Sequence, residues 1–172
     1  MTVLHYLAYG SNLHPLRLEA RIPARLLGAV RLRHWRLKFH KVGADGSGKC
    51  DLVAEPGACA YGAVYAIEAG HKPRLDAVEG EGYATRELEV ELDGRRLAAF
   101  AYVARPGWID PGAVPHRWYR QLVLWGALHH RFPARYVEAI AGIPARQDAA
   151  LSRRRRHQAL LARMRAAYLH HQ

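Results

Sequence analysis

The segment LAYGSNLHP, residues 7–15, takes the chain out of an apolar run through a glycine, a serine and an asparagine. Residues 3–9 predict a short buried strand. Residues 13–22 predict one short helix, with Pro15 near its first turn and Pro23 at its end. Backbone amides at the start of a helix have no partners within the helix. The loop between this strand and this helix is therefore a candidate ligand-binding site.

The turn Gly10-Ser11-Asn12 has two interpretations. Successive N–H groups at this point would attract a carboxylate or a developing oxyanion, and Gly10 permits a close approach and a positive φ. Alternatively, Ser11 or Asn12 is an ordinary cap of the helix that follows. The residues of the turn by themselves favour the ordinary cap.

Length and composition indicate a folded protein. The chain has 172 residues, half of them apolar, which suffices for a sizeable core. We expect a single domain over residues 1–172, with residues 130–172 as a helical C-terminal extension. No apolar run is long enough to span a membrane and no secretion signal is recognisable. Cys50 and Cys59 lack zinc-site spacing and predict reduced thiols in a cytoplasmic protein.

The net charge of +11 favours anionic partners. The segment RRRRHQALLARMRAAYLHHQ, residues 153–172, would suit nucleic-acid binding. However, Leu160, Leu161, Met164 and Tyr168 form an apolar stripe at helical spacing, which is typical of a helix docked on its own domain. No nucleic-acid partner is therefore expected. The histidines lack metal-ligand spacing, so no metal site is expected either.

Strands are predicted in the first 104 residues and helices in the last 60. Apolar and polar residues alternate over 27–39, but the apolar residues change from even to odd positions along this segment. That change predicts a β-bulge. The other predicted elements are a loop at 42–49, two strands around Pro56-Gly57, a helix at 71–79 ended by Gly80, a hairpin over 83–104 with its turn at Asp93-Gly94, a loop at 105–115, and helices at about 116–130, 134–141 and 151–169. This order predicts an α+β fold with helices packed on a mostly antiparallel sheet or barrel.

The segment LDAVEGEGY, residues 75–83, contains the most informative carboxylate. Glu79 lies at the end of a predicted helix, where the helix dipole disfavours a negative charge. A residue placed against its local preference indicates function, although a solvated surface glutamate is the simpler alternative. Tyr83, Tyr102 and Tyr119 could each pack in the core or offer a hydroxyl to a ligand.

Four segments together resemble the gamma-glutamylcyclotransferase family, including the AIG2-like proteins. The segments are YLAYGSNL (6–13), LDAVEG (75–80), AYVA (101–104) and WYRQLVLWGA (118–127). The resemblance runs from about residue 3 to residue 127. It implies a small mixed β-barrel with flanking helices. It also implies Glu79 as the catalytic residue, with substrate bound by Tyr9, Gly10, Ser11, Asn12, Leu13, Tyr83, Tyr102 and Tyr119.

The reaction of this family needs no cofactor. The α-amine of a γ-glutamyl group attacks its own γ-carbonyl, which gives 5-oxoproline and releases an amine or amino acid. Glu79 would take a proton from the α-ammonium and return it to the leaving amine. Free glutamate and an α-amine differ in pKa by about 3.7, a gap of about 5 kcal/mol. An apolar pocket would raise the carboxyl pKa and narrow that gap.

Alternatives remain open at this stage. The substrate could be a γ-glutamyl-protected secondary metabolite, or the chain could be a non-catalytic AIG2-like binding domain. The leaving group cannot be read from these residues, and neither can the group bound by the Gly10-Ser11-Asn12 amides. The segments at 42–49 and 105–115 are expected to line the open end of the pocket. The expected partner is a small γ-glutamyl compound rather than a membrane, and a homodimer is left open.

Overall fold

The structure is a computed structural model that describes residues 1–172. Its strands are β1 (Val3–Ala8), β2 (Arg25–Val42), β3 (Gly48–Glu68), β4 (Tyr83–Leu92) and β5 (Arg95–Ala104). Its helices are α1 (Pro15–Glu19), α2 (Lys72–Glu79), α3 (Arg117–His129), α4 (Ala134–Ala141) and α5 (Leu151–His170). Short 3-10 turns lie at Ala69–His71 and Pro106–Trp108.

The five strands form one mixed sheet in the order β2-β3-β1-β5-β4. The central strand β1 is antiparallel to β3 and parallel to β5, which it meets at Tyr6 and Phe100. The predicted α+β class is therefore confirmed. The sheet does not close, because no backbone ladder joins its outer strands β2 and β4. It is a curled open sheet rather than a complete barrel.

The region around Pro56-Gly57 differs from the prediction of two strands joined by a turn. It is a bulge within the single long strand β3. On β2, Arg33 pairs with Cys59 and Trp35 pairs with Ala54, so four residues of β3 face His34 alone. Gly57 has a φ of 82° and His34 a φ of 67°, and the Gly57 amide donates to His34 Nδ1 at 3.0 Å. The two strands bend together at this point, which curls the sheet.

Two turns predicted from glycine are confirmed. Asp93 and Gly94 have φ values of 52° and 76°, and they join β4 to β5 in the register Leu92 to Arg95. Positive φ at both turn residues is typical of the tightest hairpins. Gly80 follows α2 with a φ of 82°. This turn ends α2 at Glu79 and leads the chain into β4.

The helices after residue 115 pack on one another and on the sheet. The predicted apolar stripe of α5 is confirmed: Met164 is fully buried, and Leu160 and Leu161 pack against the core. His157 of α5 stacks on Trp118 of α3, with ring centroids 3.7 Å apart. None of the helices combines the length and apolar character that crossing a bilayer requires.

Candidate active site

A cleft opens beside the end of β1, between α2 and α3. It is lined by Tyr6, Tyr9, Gly10, Ser11, Asn12, Cys50, Glu79, Tyr83, Tyr102 and Tyr119. About 280 Å³ of unfilled space lies in the cleft and its solvent-open mouth. Only about 30 Å³ of the cleft itself admits a water-sized sphere. The cleft is therefore narrow, and its carboxylate, amide and hydroxyl groups suit a small polar ligand.

Glu79 projects into the cleft as the last residue of α2. Its Oε1 accepts a hydrogen bond from Asn12 Nδ2 at 2.8 Å and lies 3.6 Å from Arg21 Nη1. The side chain is only 14% exposed. Burial raises the pKa of the Glu79 carboxyl, while the charge of Arg21 and the Asn12 hydrogen bond oppose that rise. A buried carboxylate with a raised pKa is a better proton acceptor than a surface glutamate.

Asn12 holds the carboxylate in place and does not cap a helix. Its Nδ2 also donates to the Tyr6 hydroxyl at 3.1 Å, and its Oδ1 accepts from Arg21 Nη1 at 3.1 Å. The N-cap of α1 is His14, whose Nδ1 accepts from the Leu16 amide at 3.2 Å. The interpretation of Ser11 or Asn12 as the helix cap is therefore wrong.

The residues Gly10, Ser11 and Asn12, through which the chain leaves β1, form a loop that lines the cleft and is called the exit loop below. The backbone amides of Gly10, Ser11 and Asn12 donate to no carbonyl of the chain. Gly10 has no positive φ, which corrects the expectation of a left-handed residue. A Cβ at Gly10 would instead lie 2.7 Å from Cys50 Cβ. Glycine is needed because β3 passes close to the loop.

The tyrosines form rigid walls because each is hydrogen-bonded. The Tyr83 hydroxyl donates to the Cys50 carbonyl at 2.6 Å, and the Tyr119 hydroxyl accepts from the Cys50 amide at 2.9 Å. Tyr102 donates to Asp76 Oδ1 at 2.5 Å, and Tyr9 donates to the Tyr102 carbonyl. Burial raises the pKa of all four phenols, so they stay neutral near pH 7.

The structure brings together all the site residues predicted from the sequence except one. Leu13 is fully buried and does not line the cleft. Its carbonyl accepts from the Tyr65 hydroxyl at 2.8 Å and contacts His130 Nε2 at 2.6 Å, so Leu13 anchors the loop from behind. The segments 42–49 and 105–115, expected at the open end, contribute no lining residue.

Three further residues of the site were missed from the sequence. Tyr6 of β1 lines the cleft and its hydroxyl accepts from Asn12 Nδ2, a contact that no local sequence pattern indicated. Arg21 lies just beyond α1 and approaches Glu79 only through tertiary packing. Cys50 lines the cleft as a buried free thiol. No group of three or more His, Cys, Asp or Glu side chains is arranged to hold a metal ion.

Comparison with known proteins gives a consistent picture. A family model described as "Gamma-glutamyl cyclotransferase, AIG2-like" matches residues 6–121. A solved gamma-glutamyl cyclotransferase is similar over 94% of this chain and 99% of its own, with 21% identity and a TM-score of 0.81. An uncharacterized protein from Homo sapiens is similar over 87% of this chain and 93% of its own, with 24% identity and a TM-score of 0.78.

A third solved structure, YkqA from Bacillus subtilis, is similar over 84% of this chain and 56% of its own, with 18% identity and a TM-score of 0.68. At these identities the structural matches show a common fold. A search of curated protein sequences gives no significant match.

Proposed function

The chain belongs to the AIG2-like gamma-glutamyl cyclotransferase family, and from that premise we propose that it cyclises a γ-glutamyl group to 5-oxoproline. The observation that carries the proposal is the Glu79 carboxylate. Its side chain is mostly buried in a tyrosine-walled cleft and accepts a hydrogen bond from Asn12 at 2.8 Å. The exit loop lines the same cleft, and its backbone amides have no partner in the chain. A proton acceptor therefore lies beside donors for a negatively charged oxygen.

The first step is proton transfer from the substrate α-ammonium to Glu79. The raised pKa of Glu79 brings the carboxyl closer to the amine and lowers the cost of this transfer. The neutral amine then attacks the γ-carbonyl carbon, which forms the ring C–N bond and moves an electron pair onto the carbonyl oxygen. Because the attack is intramolecular, the cleft mainly has to hold the folded conformer.

The second step is collapse of the tetrahedral intermediate. Glu79 delivers its proton to the leaving nitrogen and then takes the second proton from the positively charged ring nitrogen. The C–N bond to the leaving group breaks with its electron pair going to the departing amine, while a pair on the oxyanion re-forms the carbonyl. The released amine takes the proton from Glu79 and leaves as an ammonium. The products are 5-oxoproline and a free amine or amino acid. No water is consumed, and Glu79 ends the cycle as a carboxylate, ready for the next substrate.

The amides of the exit loop could donate hydrogen bonds to either of two anionic groups of this substrate. The α-carboxylate is charged in the ground state, and the carbonyl oxygen becomes charged only in the transition state. Donors for the oxyanion raise kcat, whereas donors for the carboxylate lower KM. A variant that disturbs the loop therefore reports which group it binds through the parameter that changes.

The proposal is tested by measuring 5-oxoproline release from a panel of γ-glutamyl amino acids, peptides and amines. Glu79→Gln keeps an oxygen that accepts from Asn12 but cannot carry a proton between two nitrogens. We expect it to lower kcat by about 10²–10⁴-fold while the far-ultraviolet spectrum and melting temperature stay near those of the wild type.

A pH profile adds an independent signature. Because burial raises the pKa of Glu79, the acidic limb of kcat/KM should lie above the ordinary pKa of glutamate and should be absent in Glu79→Gln. Retention of the wild-type rate by Glu79→Gln would refute the assignment of Glu79. Failure of every compound to release 5-oxoproline would refute the cyclotransferase activity itself.

A further inference from the structure

Asp76 of α2 lies one helical turn before Glu79 and does not itself line the cleft. Residues three apart on a helix are neighbours on its surface. The Asp76 carboxylate nevertheless contacts a wall of the cleft, because its Oδ1 accepts a hydrogen bond from the Tyr102 hydroxyl at 2.5 Å. Lys72 Nζ donates to both of its oxygens, at 2.9 Å and 3.1 Å. The proton transfers proposed above do not involve Asp76.

The hydrogen bond between Tyr102 and Asp76 has a defined direction. Burial raises the pKa of the Asp76 carboxyl, but the hydrogen bonds from Tyr102 and Lys72 outweigh burial and hold that pKa below its ordinary value. Asp76 is therefore ionised at neutral pH, and an ionised carboxylate only accepts hydrogen bonds. The shared proton belongs to Tyr102.

This direction fixes what Tyr102 can offer to a ligand. A phenol carries a single proton, and its oxygen can also accept. Because the proton of Tyr102 is committed to Asp76, any hydrogen bond between its hydroxyl and a ligand has to be donated by the ligand. Tyr83 is committed in the same way, since its hydroxyl donates to the Cys50 carbonyl at 2.6 Å.

Tyr119 has the opposite character. Its hydroxyl accepts from the Cys50 amide at 2.9 Å and donates to no group of the chain, so its proton is available to a ligand. This hydroxyl lies 3.8 Å from the position that a Cβ at Gly10 would occupy. It is therefore beside the exit loop, whose amides also lack partners. Donors are concentrated at the exit loop, whereas Tyr102 offers an acceptor beside α2.

The γ-glutamyl head has groups of matching character. Its α-ammonium has three N–H donors and no acceptor, while its α-carboxylate and γ-carbonyl only accept. One N–H of the ammonium has to point at Glu79 for the first proton transfer. A second N–H needs an acceptor close to Glu79 on the same side of the cleft.

We propose that Asp76 is a positioning residue, which holds Tyr102 as an acceptor for the α-ammonium of the substrate. This inference rests on the proposed cyclotransferase function and orients its substrate, with the ammonium toward α2 and the carboxylate toward the exit loop. The carboxylate of Asp76 polarises the Tyr102 hydroxyl and so strengthens its oxygen as an acceptor. Asp76 touches no substrate atom and transfers no proton.

Two compounds that differ only in the α-amine test the inference. They are γ-glutamylalanine and glutarylalanine, in which a hydrogen replaces the amine so that the compound cannot cyclise. Asp76→Ala leaves the Tyr102 proton uncommitted. We expect it to raise KM for γ-glutamylalanine about tenfold, as for other hydrogen bonds to charged groups, and to change the inhibition constant of glutarylalanine less than twofold. A tenfold rise in both constants would indicate a distorted cleft and would overturn the inference.

Tyr102→Phe supplies a second measurement. It removes the hydroxyl but keeps the ring, so it should raise KM for γ-glutamylalanine about as much as Asp76→Ala does. If Asp76 acts through this hydroxyl, Asp76→Ala should have no further effect in the Tyr102→Phe background. Losses that multiply in the double variant would show that Asp76 acts independently of Tyr102, which contradicts the positioning role.

Glu68→Ala is the matched control. Glu68 precedes α2, and its side chain is 49% exposed, compared with 44% for Asp76. Its carboxylate lies 3.8 Å from His71 Nε2, so its loss removes the same charge without touching Tyr102. KM in this variant should equal that of the wild type. Asp76→Ala should fold normally, because the side chain is exposed and alanine favours a helix.

Calorimetric titration of both compounds separates the inference from the function on which it rests. Turnover of γ-glutamylalanine with an unchanged KM in Asp76→Ala would overturn the positioning role and leave the cyclotransferase intact. Tighter binding of γ-glutamylalanine than of glutarylalanine, lost in Asp76→Ala and without any 5-oxoproline, would support the positioning role and overturn the catalytic proposal. Without turnover, equal binding of the two compounds or no binding of either would overturn both.

Discussion

At Gly10 the chain has no room for a side chain. A Cβ there would lie 2.7 Å from Cys50 Cβ and 3.2 Å from its Sγ, while the backbone conformation itself is one that any residue can adopt. The glycine therefore allows β3 to pack against the exit loop. The amides of this loop have no partner in the chain, and the loop lines the cleft. The close packing of β3 requires that residue 10 has no Cβ, and we expect ligand binding by the loop to require it as well.

The first prediction concerns this contact. Gly10→Ala should lower kcat/KM at least tenfold, because the loop must shift away from Cys50 and its amides lose their alignment. The measurement is 5-oxoproline release from a good substrate, with kcat and KM determined separately. A fall in kcat alone would assign the amides to the oxyanion, and a rise in KM alone would assign them to the α-carboxylate.

The control for Gly10→Ala is a double variant. Cys50→Gly removes both atoms that the new methyl group would meet, so Gly10→Ala combined with Cys50→Gly should recover most of the activity of Cys50→Gly alone. Such recovery identifies the steric contact as the cause. Full activity of Gly10→Ala by itself would show that the loop amides do not bind the substrate.

Among the elements, α1 depends on an unusual cap. His14 accepts from the Leu16 amide, and its ring lies 4.6 Å from that of His129. His130, the next residue, holds the Leu13 carbonyl from behind. Burial, together with the charges that His129 and His130 would carry, lowers the pKa of His14 to about 4. The cap works only while the His14 ring is neutral.

The second prediction follows from the sign of that shift. In the unfolded chain His14 is protonated near pH 6.5, whereas in the folded state it is protonated only near pH 4. Stability should therefore fall as the pH drops from 6.5 to 4 and should lose nothing more from His14 below that. Allowing for screening by solvent, His14 accounts for about 1–2 kcal/mol of this loss.

Urea midpoints at pH 7.0, 5.5 and 4.5 measure this dependence. His14→Asn keeps a side-chain acceptor for the Leu16 amide but does not titrate, so its midpoint should fall less steeply with pH than that of the wild type. His157, whose pKa burial also lowers to about 4, should supply much of the remaining slope. Parallel slopes in wild type and His14→Asn would contradict the assignment to His14.

At the scale of the whole molecule, the sheet is curled but open. Its outer strands face each other across a groove of about 650 Å³, and side chains rather than backbone bonds bridge the gap. Arg86 of β4 lies over the Trp35 ring of β2 at 5.0 Å. Charged residues line both rims: Arg31 and Arg33 on one strand, Glu89 and Glu91 on the other. Charges on exposed edges discourage pairing with other chains.

The third prediction concerns the seam, meaning the groove between the unpaired edges of β2 and β4. Half of the amides of β2 and β4 point away from their one paired neighbour, so the seam-facing amides over 31–34 and 88–91 should exchange with deuterium much faster than those of the central strand β1. Exchange followed by nuclear magnetic resonance provides the measurement. The β4 amides bonded to β5 serve as an internal reference. Equally slow exchange at the seam would mean that the sheet closes in solution.

What the sequence determined by itself is local. The exit loop after β1, the helix that ends with Glu79, the Asp93-Gly94 hairpin and the helices at the C-terminal end all follow from turn chemistry and periodicity within a few residues. The family followed from short motifs in the right order. In each case the free energy that decides the structure comes from neighbours along the chain.

What only the tertiary structure decided depends on residues far apart in sequence. Asn12, Arg21 and Glu79 meet although 67 positions separate the first from the last, and Leu13 turned inward because Tyr65 and His130 bind its carbonyl. Gly57 became a bulge and not a turn because β2 offers His34 opposite it. Such contacts depend on burial and pairing between distant segments, and no local pattern records those energies.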